Sequence, residues 1–230
     1  MRRLVVVVLL LSALGLAADR GGVALAERVV ADQLRTSENL AETPAVELRG
    51  FPFLTQVVSG RYDEVRVVVE GLERGGVRIQ ELDATLTGVE AELADVVAGD
   101  VASLPVQSLQ ASALVTFVDL ARRTGLPSVR IEAAGGGLRV TARVTVLGRT
   151  YTGTAVSRLA LRGDRLAFTA TSAVVAGETD PGLLRLVARS LAFAVPVGAL
   201  PFDLDLDGVD VTAQGLRLRA SSGPTVLKAG

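Results

Sequence analysis

Gly50-Phe51-Pro52-Phe53-Leu54-Thr55-Gln56-Val57-Val58-Ser59-Gly60-Arg61-Tyr62-Asp63-Glu64-Val65 is the stretch from which the fold is read. It carries three of the chain's eight aromatic residues, Phe51, Phe53 and Tyr62. Pro52 has no N–H and biases Phe51 toward extended geometry, so Phe51-Pro52-Phe53 is a stiff lead-in. Phe53 to Ser59 has the length of about two helical turns. Gly60 is the residue type that ends a helix in the left-handed conformation. Polar Arg61 to Glu64 then hands over to Val65-Arg66-Val67-Val68-Val69, whose β-branched content predicts a strand. A short apolar helix between two backbone breaks is expected to act as a lid or floor against an apolar interior. The same aromatics also suit an ordinary core, and that alternative stays open here.

Upstream, Pro44 opens a strand at Ala45-Val46-Glu47-Leu48. Before it, Val23, Ala26, Val30 and Leu34 share one face of a predicted helix over 23–34, opposite Glu27, Arg28, Asp32 and Gln33. Met1-Arg2-Arg3 and the apolar run Leu4 to Ala18 have the pattern of an export leader, with Gly15 and Ala17 permitting cleavage before Ala18. An uncleaved anchor continuing into the next helix is the other reading. Residues 1–18 are therefore a signal peptide or signal anchor, and 19–230 a single domain. In both cases the arginines hold the N-terminus inside and the remainder is exported.

Downstream, Gly71 to Gly76 predicts a turn and Val77 to Leu86 a strand whose apolar parity switches at Leu82, as at a bulge. Val89 to Gly99 suits either a loose helical turn or a covering loop. Val106 to Val115 alternates as a strand, and Thr116-Phe117-Val118-Asp119 starts a short helix ending at Thr124, before Gly125 and Pro127. Val129 to Thr171 is a meander, with turns at Gly135-Gly136-Gly137, Gly148-Arg149 and Gly163-Asp164. Asp180-Pro181 opens a helix to about Ala192 with a wide apolar face; Leu183, Leu186, Val187 and Phe193 belong to it, against Arg185 and Arg189. Two last strands, Asp203 to Thr212 and Leu216 to Ala220, precede a tail from Gly223-Pro224. Antiparallel strands interrupted by a few helices give an α+β class.

Composition excludes much chemistry. With no Cys, thiolate nucleophiles, disulfides and thiolate zinc sites are impossible, and with no His so are Ser-His-Asp chemistry and imidazole ligation. A catalyst would have to work through carboxylates, Lys, Ser, Thr or Tyr. Net charge is −1, and loss of Arg2 and Arg3 leaves 22 basic against 25 acidic residues, so nucleic acid is not an expected partner. Asp203-Leu204-Asp205-Leu206-Asp207-Gly208 imitates a calcium loop, but its twelfth position is Gln214 and strict alternation suits a strand with one wet face. Glu90 with Glu92, and Asp63 with Glu64, are solvated charges before they are catalytic pairs. No cofactor and no metal is expected.

The Gly50–Val65 block, followed by Leu82-Asp83-Ala84, Gly88-Val89, Leu200-Pro201-Phe202 and Gly215-Leu216, resembles the LmeA-like family of actinobacterial cell-envelope phospholipid-binding proteins. The resemblance implies a long, highly curved antiparallel sheet wrapped around a few helices with an apolar groove, similar to one half of a tubular lipid-binding protein. It implies non-enzymatic binding, with transport or presentation, of phospholipid at the outer face of the plasma membrane, supporting envelope lipoglycan synthesis or maintenance. Expected partners are an anionic phospholipid and the membrane surface; no protein partner is indicated. Residues expected to meet lipid are Phe51, Phe53, Leu54, Val57, Val58, Arg61, Tyr62, Phe117, Leu183, Leu186, Val187, Phe193, Leu200 and Phe202, with Arg61 and Tyr62, or Arg185 and Arg189, at the phosphate. A structural envelope protein with a filled core, and a carboxylate-based lipid hydrolase or transferase, are the competing readings.

Overall fold

The computed structural model describes residues 2–74, 77–98, 103–162, 165–196 and 204–228. The chain begins with helix α1 (Arg2–Ser37), strand β1 (Ala45–Arg49), helix α2 (Phe53–Ser59), the long strands β2 (Arg61–Arg74) and β3 (Val77–Glu90), and helix α3 (Leu93–Ala98). Strands β4 (Ser103–Val106) and β5 (Ser108–Thr116), helix α4 (Phe117–Arg123) and the meander β6 (Arg130–Ala134), β7 (Gly137–Val146), β8 (Arg149–Arg162) and β9 (Arg165–Val175) follow. Helix α5 (Pro181–Leu191), β10 (Phe193–Pro196), β11 (Asp205–Val211), β12 (Gly215–Ser222) and β13 (Thr225–Lys228) complete it. The sheets are ordered β1-β2-β3-β5-β12-β11, β10-β9-β8-β7-β6 and β13-β4, and none closes into a barrel. The class is α+β with antiparallel sheets, as the pattern of strands and few helices predicts.

Two compact units divide these residues: Met1–Leu72, Glu81–Ala111 and Ser221–Gly230 in the first, Glu73–Gln80 and Ser112–Ala220 in the second. In the first, β1 pairs antiparallel with β2, placing Val46 opposite Val67 and Leu48 opposite Val65. Arg66 of β2 reaches Asp83 of β3 through two hydrogen bonds of 3.0 and 2.7 Å and lies 3.5 Å from Glu47 of β1. Bonding to Asp83 raises the Arg66 pKa, so this cross-strand cation stays charged. Helix α1 is continuous through Ala17 and Ala18 and buries Ala26 and Ala31, with Val23, Val30 and Leu34 half-buried, the face that the amphipathic spacing assigns. Among the described residues no helix is long and apolar enough to cross a membrane.

Several boundaries differ from the sequence reading. β2 begins at Arg61, because Gly60 takes φ +65° and ends α2 so sharply that the next residue is already extended. β2 also runs through Gly71, whose φ of +65° is absorbed inside the strand, to Arg74, and Gly75 and Gly76 of the expected turn lie outside the described residues. The strand expected over 106–115 is split at Gln107, whose N–H bonds the Thr87 carbonyl at 2.9 Å while its side chain folds over Gly88. Val89 to Gly99 contains helix α3, and the terminal tail contains β13, paired with β4 from Thr225 opposite Val106 to Lys228 opposite Ser103.

The second unit holds the larger core. Inward residues of β7 alternate along the strand, with Leu138, Val140, Ala142, Val144 and Val146 buried and Arg139, Arg143 and Thr145 exposed. Asp180 caps α5, accepting the Leu183 N–H at 2.7 Å, and Pro181 occupies its first turn. Val187 and Leu191 then lie fully buried over Gly153, where an added Cβ would meet Val187 at 2.5 Å and Leu191 at 3.2 Å. The helix approaches the sheet there because β8 offers no side chain. Phe168 and Phe193 stack across β9 and β10 with centroids 4.3 Å apart, a pairing worth about 0.5–1.5 kcal/mol beyond its burial. A bulge at Thr171 shifts the β8–β9 register between Val156 and Ser157, and the Thr171 hydroxyl bonds the Val156 carbonyl at 2.9 Å.

Candidate functional site

Within the first unit, the motif residues separate into an inward and an outward set. Helix α2 is tied to α1 by Asp19, which is buried and accepts the Leu54 N–H at 2.9 Å through Oδ1. Gly22 lies against Phe53 and Leu54, where a Cβ would come within 3.5 and 3.4 Å of their side chains. Phe53 is 3% exposed and packs at 6.3 Å from the Tyr62 ring, also buried. Gln56 takes the second inward position of α2: its Oε1 accepts the Asp63 N–H at 2.8 Å, and its Nε2 lies beside Gly50. The Oε1 bond fastens α2 to the start of β2, while Nε2 is buried without a hydrogen-bond partner.

The outward set is Phe51, Leu54 and Val58, which are 60%, 45% and 90% exposed; Val57 is half-buried. Arg61 is exposed and pairs with Glu90 at 3.2 Å. The Tyr62 hydroxyl is buried without a hydrogen-bond partner, and burial pushes the phenol pKa up. Tyr62 therefore stands inside, and the phosphate role read for it has no exposed hydroxyl to perform it.

Within the second unit, Val187 is core, Leu183 is half-buried against the core, Leu186 is largely exposed and Phe193 is stacked on Phe168. Arg185 and Arg189 are exposed, and Arg185 Nε bonds back to the Pro181 carbonyl at 3.0 Å. Leu200 and Phe202 lie outside the described residues. Phe117 borders an open groove of about 580 Å³ between α4 and β6. Ala121, Leu126, Val129 and Ile131 give it an apolar lining, and Arg122, Arg130, Glu132 and Ser128 supply its polar groups. A volume of this order lies in the roughly 300–1,000 Å³ range of ligand pockets.

The groove's shape follows from local bonding. Thr116 caps α4, accepting the Asp119 N–H at 3.2 Å while its hydroxyl bonds Asp119 Oδ2 at 2.6 Å. Asp119 Oδ1 holds Arg122 at 2.8 Å, so this guanidinium is already committed. Gly125, at φ +68°, turns the chain out of the helix, and the Pro127 carbonyl and Ser128 hydroxyl are pinned by Arg143 at 3.3 and 2.6 Å. Arg130 meets Glu132 only at 3.6 Å with its side chain 79% exposed, which leaves it the freer cation of the groove. Apart from Phe117, the sequence reading missed this lining. Its signal was the apolar Leu126 and Val129 flanking Pro127 beside a short amphipathic helix.

The carboxylates raised as decoys lie on surfaces. Asp205, Asp207 and Asp210 are exposed on β11, and Asp210 pairs with Arg219 at 2.9 Å; Asp203 lies outside the described residues. No cluster of potential metal ligands occurs among the described residues. No curated protein and no solved structure matches the chain. The LmeA-like phospholipid-binding family, in contrast, matches residues 17–221, most of the chain and all of both candidate surfaces from Ala17 onward. The chain belongs to the LmeA-like phospholipid-binding family.

Proposed function

We propose that the protein is a non-enzymatic binder of phospholipid that holds acyl carbon in the α4–β6 groove and meets the phosphate with Arg130. The observation that carries this reading is the groove itself: about 580 Å³, apolar along Phe117, Ala121, Leu126, Val129 and Ile131, with an exposed guanidinium in its lining. Acyl chains require such a lining because each buried methylene contributes about 0.8 kcal/mol. A guanidinium requires an anion, which favours an anionic headgroup. The absence of His and Cys from the sequence, and membership of a family defined by lipid binding, support binding without catalysis.

The reading extends to the outer face of the plasma membrane, where the protein would serve envelope lipoglycan synthesis or maintenance by carrying or presenting lipid. Its supports are the Arg2-Arg3 and Leu4–Ala18 leader pattern and a family match that begins at residue 17, beside the expected cleavage point. Lipid extraction of the purified full chain and of Ala121→Trp tests the binding claim. The parent should carry phospholipid and the groove-filling variant should lose it with an unchanged melting temperature. Phospholipid-free parent protein would favour a filled structural core, and lysophospholipid released from added phospholipid would favour a hydrolase.

A further inference from the structure

Six of the twelve large apolar side chains that stand exposed among the described residues lie on α1, on the lead-in to α2 and on α2: Leu14, Leu16, Leu25, Phe51, Leu54 and Val58. They share one neighbourhood. Leu54 rests on Gly22, and Leu14, Ala18 and Leu25 form one stripe along α1 beside it at helical spacing. Leu16 stands one turn before Arg20, whose guanidinium is 5.6 Å from the centroid of the Phe51 ring. Every residue from Ser12 to Ala18 is exposed, so this part of α1 is not covered by the first unit.

These two stretches carry little charge, and exposed Asp63 and the Arg61–Glu90 pair border them. From Ser12 to Ala26 the only charged residues are Asp19 and Arg20, and from Phe51 to Gly60 there are none. Asp19 is 3% exposed and spends Oδ1 on the Leu54 N–H, so the charge that reaches solvent is the cation of Arg20. An apolar face with one cation at an aromatic side chain matches a phospholipid leaflet, which offers acyl carbon beneath anionic phosphate.

We infer that α2, together with Phe51 and the Ala18–Leu25 flank of α1, joined by Leu14 and Leu16 where the leader is retained, docks the protein on an anionic phospholipid bilayer. Phe51, Leu54 and Val58 enter the acyl boundary, and Arg20 meets a phosphate. This rests on the phospholipid reading only for the chemistry of the surface met; it does not require the α4–β6 groove. The apolar run Leu4–Ala18 continues from this face along α1, so a retained leader would enter the same bilayer.

The chain has no Cys, so a single substitution gives a unique labelling site. An environment-sensitive fluorophore is placed on Val58→Cys and, as control, on Leu147→Cys, which is 85% exposed between β7 and β8. Full-length protein is mixed with phosphatidylcholine vesicles with and without phosphatidylglycerol. The Val58 probe should shift to the blue and be quenched by bromine-labelled acyl chains, while the Leu147 probe stays aqueous. Arg20→Gln should weaken binding to the anionic vesicles about fivefold and leave binding to pure phosphatidylcholine unchanged. No shift at Val58, or equal shifts at both positions, overturns the assignment. A shift that grows with protein concentration without vesicles gives the face to a second copy and also overturns it. A silent Val58 probe on protein that still retains phospholipid refutes docking alone, whereas phospholipid-free protein refutes the binding reading.

Discussion

Phe53→Ala is the substitution that most sharply separates a packed motif from a cavity wall. Phe53 is 3% exposed, lies 6.3 Å from Tyr62 ring to ring, and touches α1 at Gly22. Removing a buried phenyl ring loses its transfer energy and leaves a cavity, together about 3–5 kcal/mol. A domain's whole stability is about 5–15 kcal/mol, so the loss is a large share of it. At about 2–4 °C per kcal/mol for chains of this length, the melting temperature should fall by roughly 6–20 °C. Urea unfolding followed by far-ultraviolet circular dichroism suits the assay, since the chain has no Trp. Val58→Ala is the companion: at 90% exposure it should change stability by less than about 0.5 kcal/mol. A loss below about 1 kcal/mol for Phe53→Ala, with depleted co-purified phospholipid, would refute the packing argument and return the ring to an open cavity.

Other expectations follow from the same contacts. Tyr62→Phe should be neutral or stabilising, because it removes a buried hydroxyl that has no partner. Since burial raises the phenol pKa, its contribution is complete below the unfolded value near pH 10 and is lost as pH climbs through the folded value. Stability of the parent should therefore decline above about pH 10 more steeply than that of Tyr62→Phe, and equal alkaline profiles would contradict it. Gly153→Val should cost at least about 1–3 kcal/mol, because its side chain would occupy the space of Val187 and Leu191; an unchanged melting temperature would mean that α5 is not seated there. Fusion of residues 1–40 to a reporter active only outside the cytoplasm should give signal, and a silent fusion would count against export.

What the sequence made legible was bounded by residues with one conformational answer. Pro52 and Gly60 delimit α2, Asp180-Pro181 starts α5, and the turns at Gly135-Gly136 and Gly148 mark the β6–β8 part of the meander, while the expected Gly163-Asp164 turn lies outside the described residues. Orientation was not legible. Helix α2 has seven residues, too few for periodicity to choose a face, and its inward side is Phe53 and Gln56, whose Oε1 accepts the Asp63 N–H. The two phenylalanines flanking Pro52 thus have opposite fates, one buried beside Tyr62 and one exposed beneath Arg20. The α4–β6 groove was illegible for a different reason. Its lining joins a helix to a loop that Arg143 holds from β7, and such tertiary bonds leave no mark on local spacing.

The central claim is that the α4–β6 groove holds the acyl chain of a phospholipid. It is tested most directly by loading the full chain with a phospholipid bearing a photoreactive group within one acyl chain. After vesicles and unbound lipid are removed, the complex is irradiated and the modified peptide is sequenced. The account predicts adducts confined to Phe117–Glu132, abolished in Ala121→Trp and weakened in Arg130→Gln. Adducts that map elsewhere, or that persist unchanged in both variants, would contradict it.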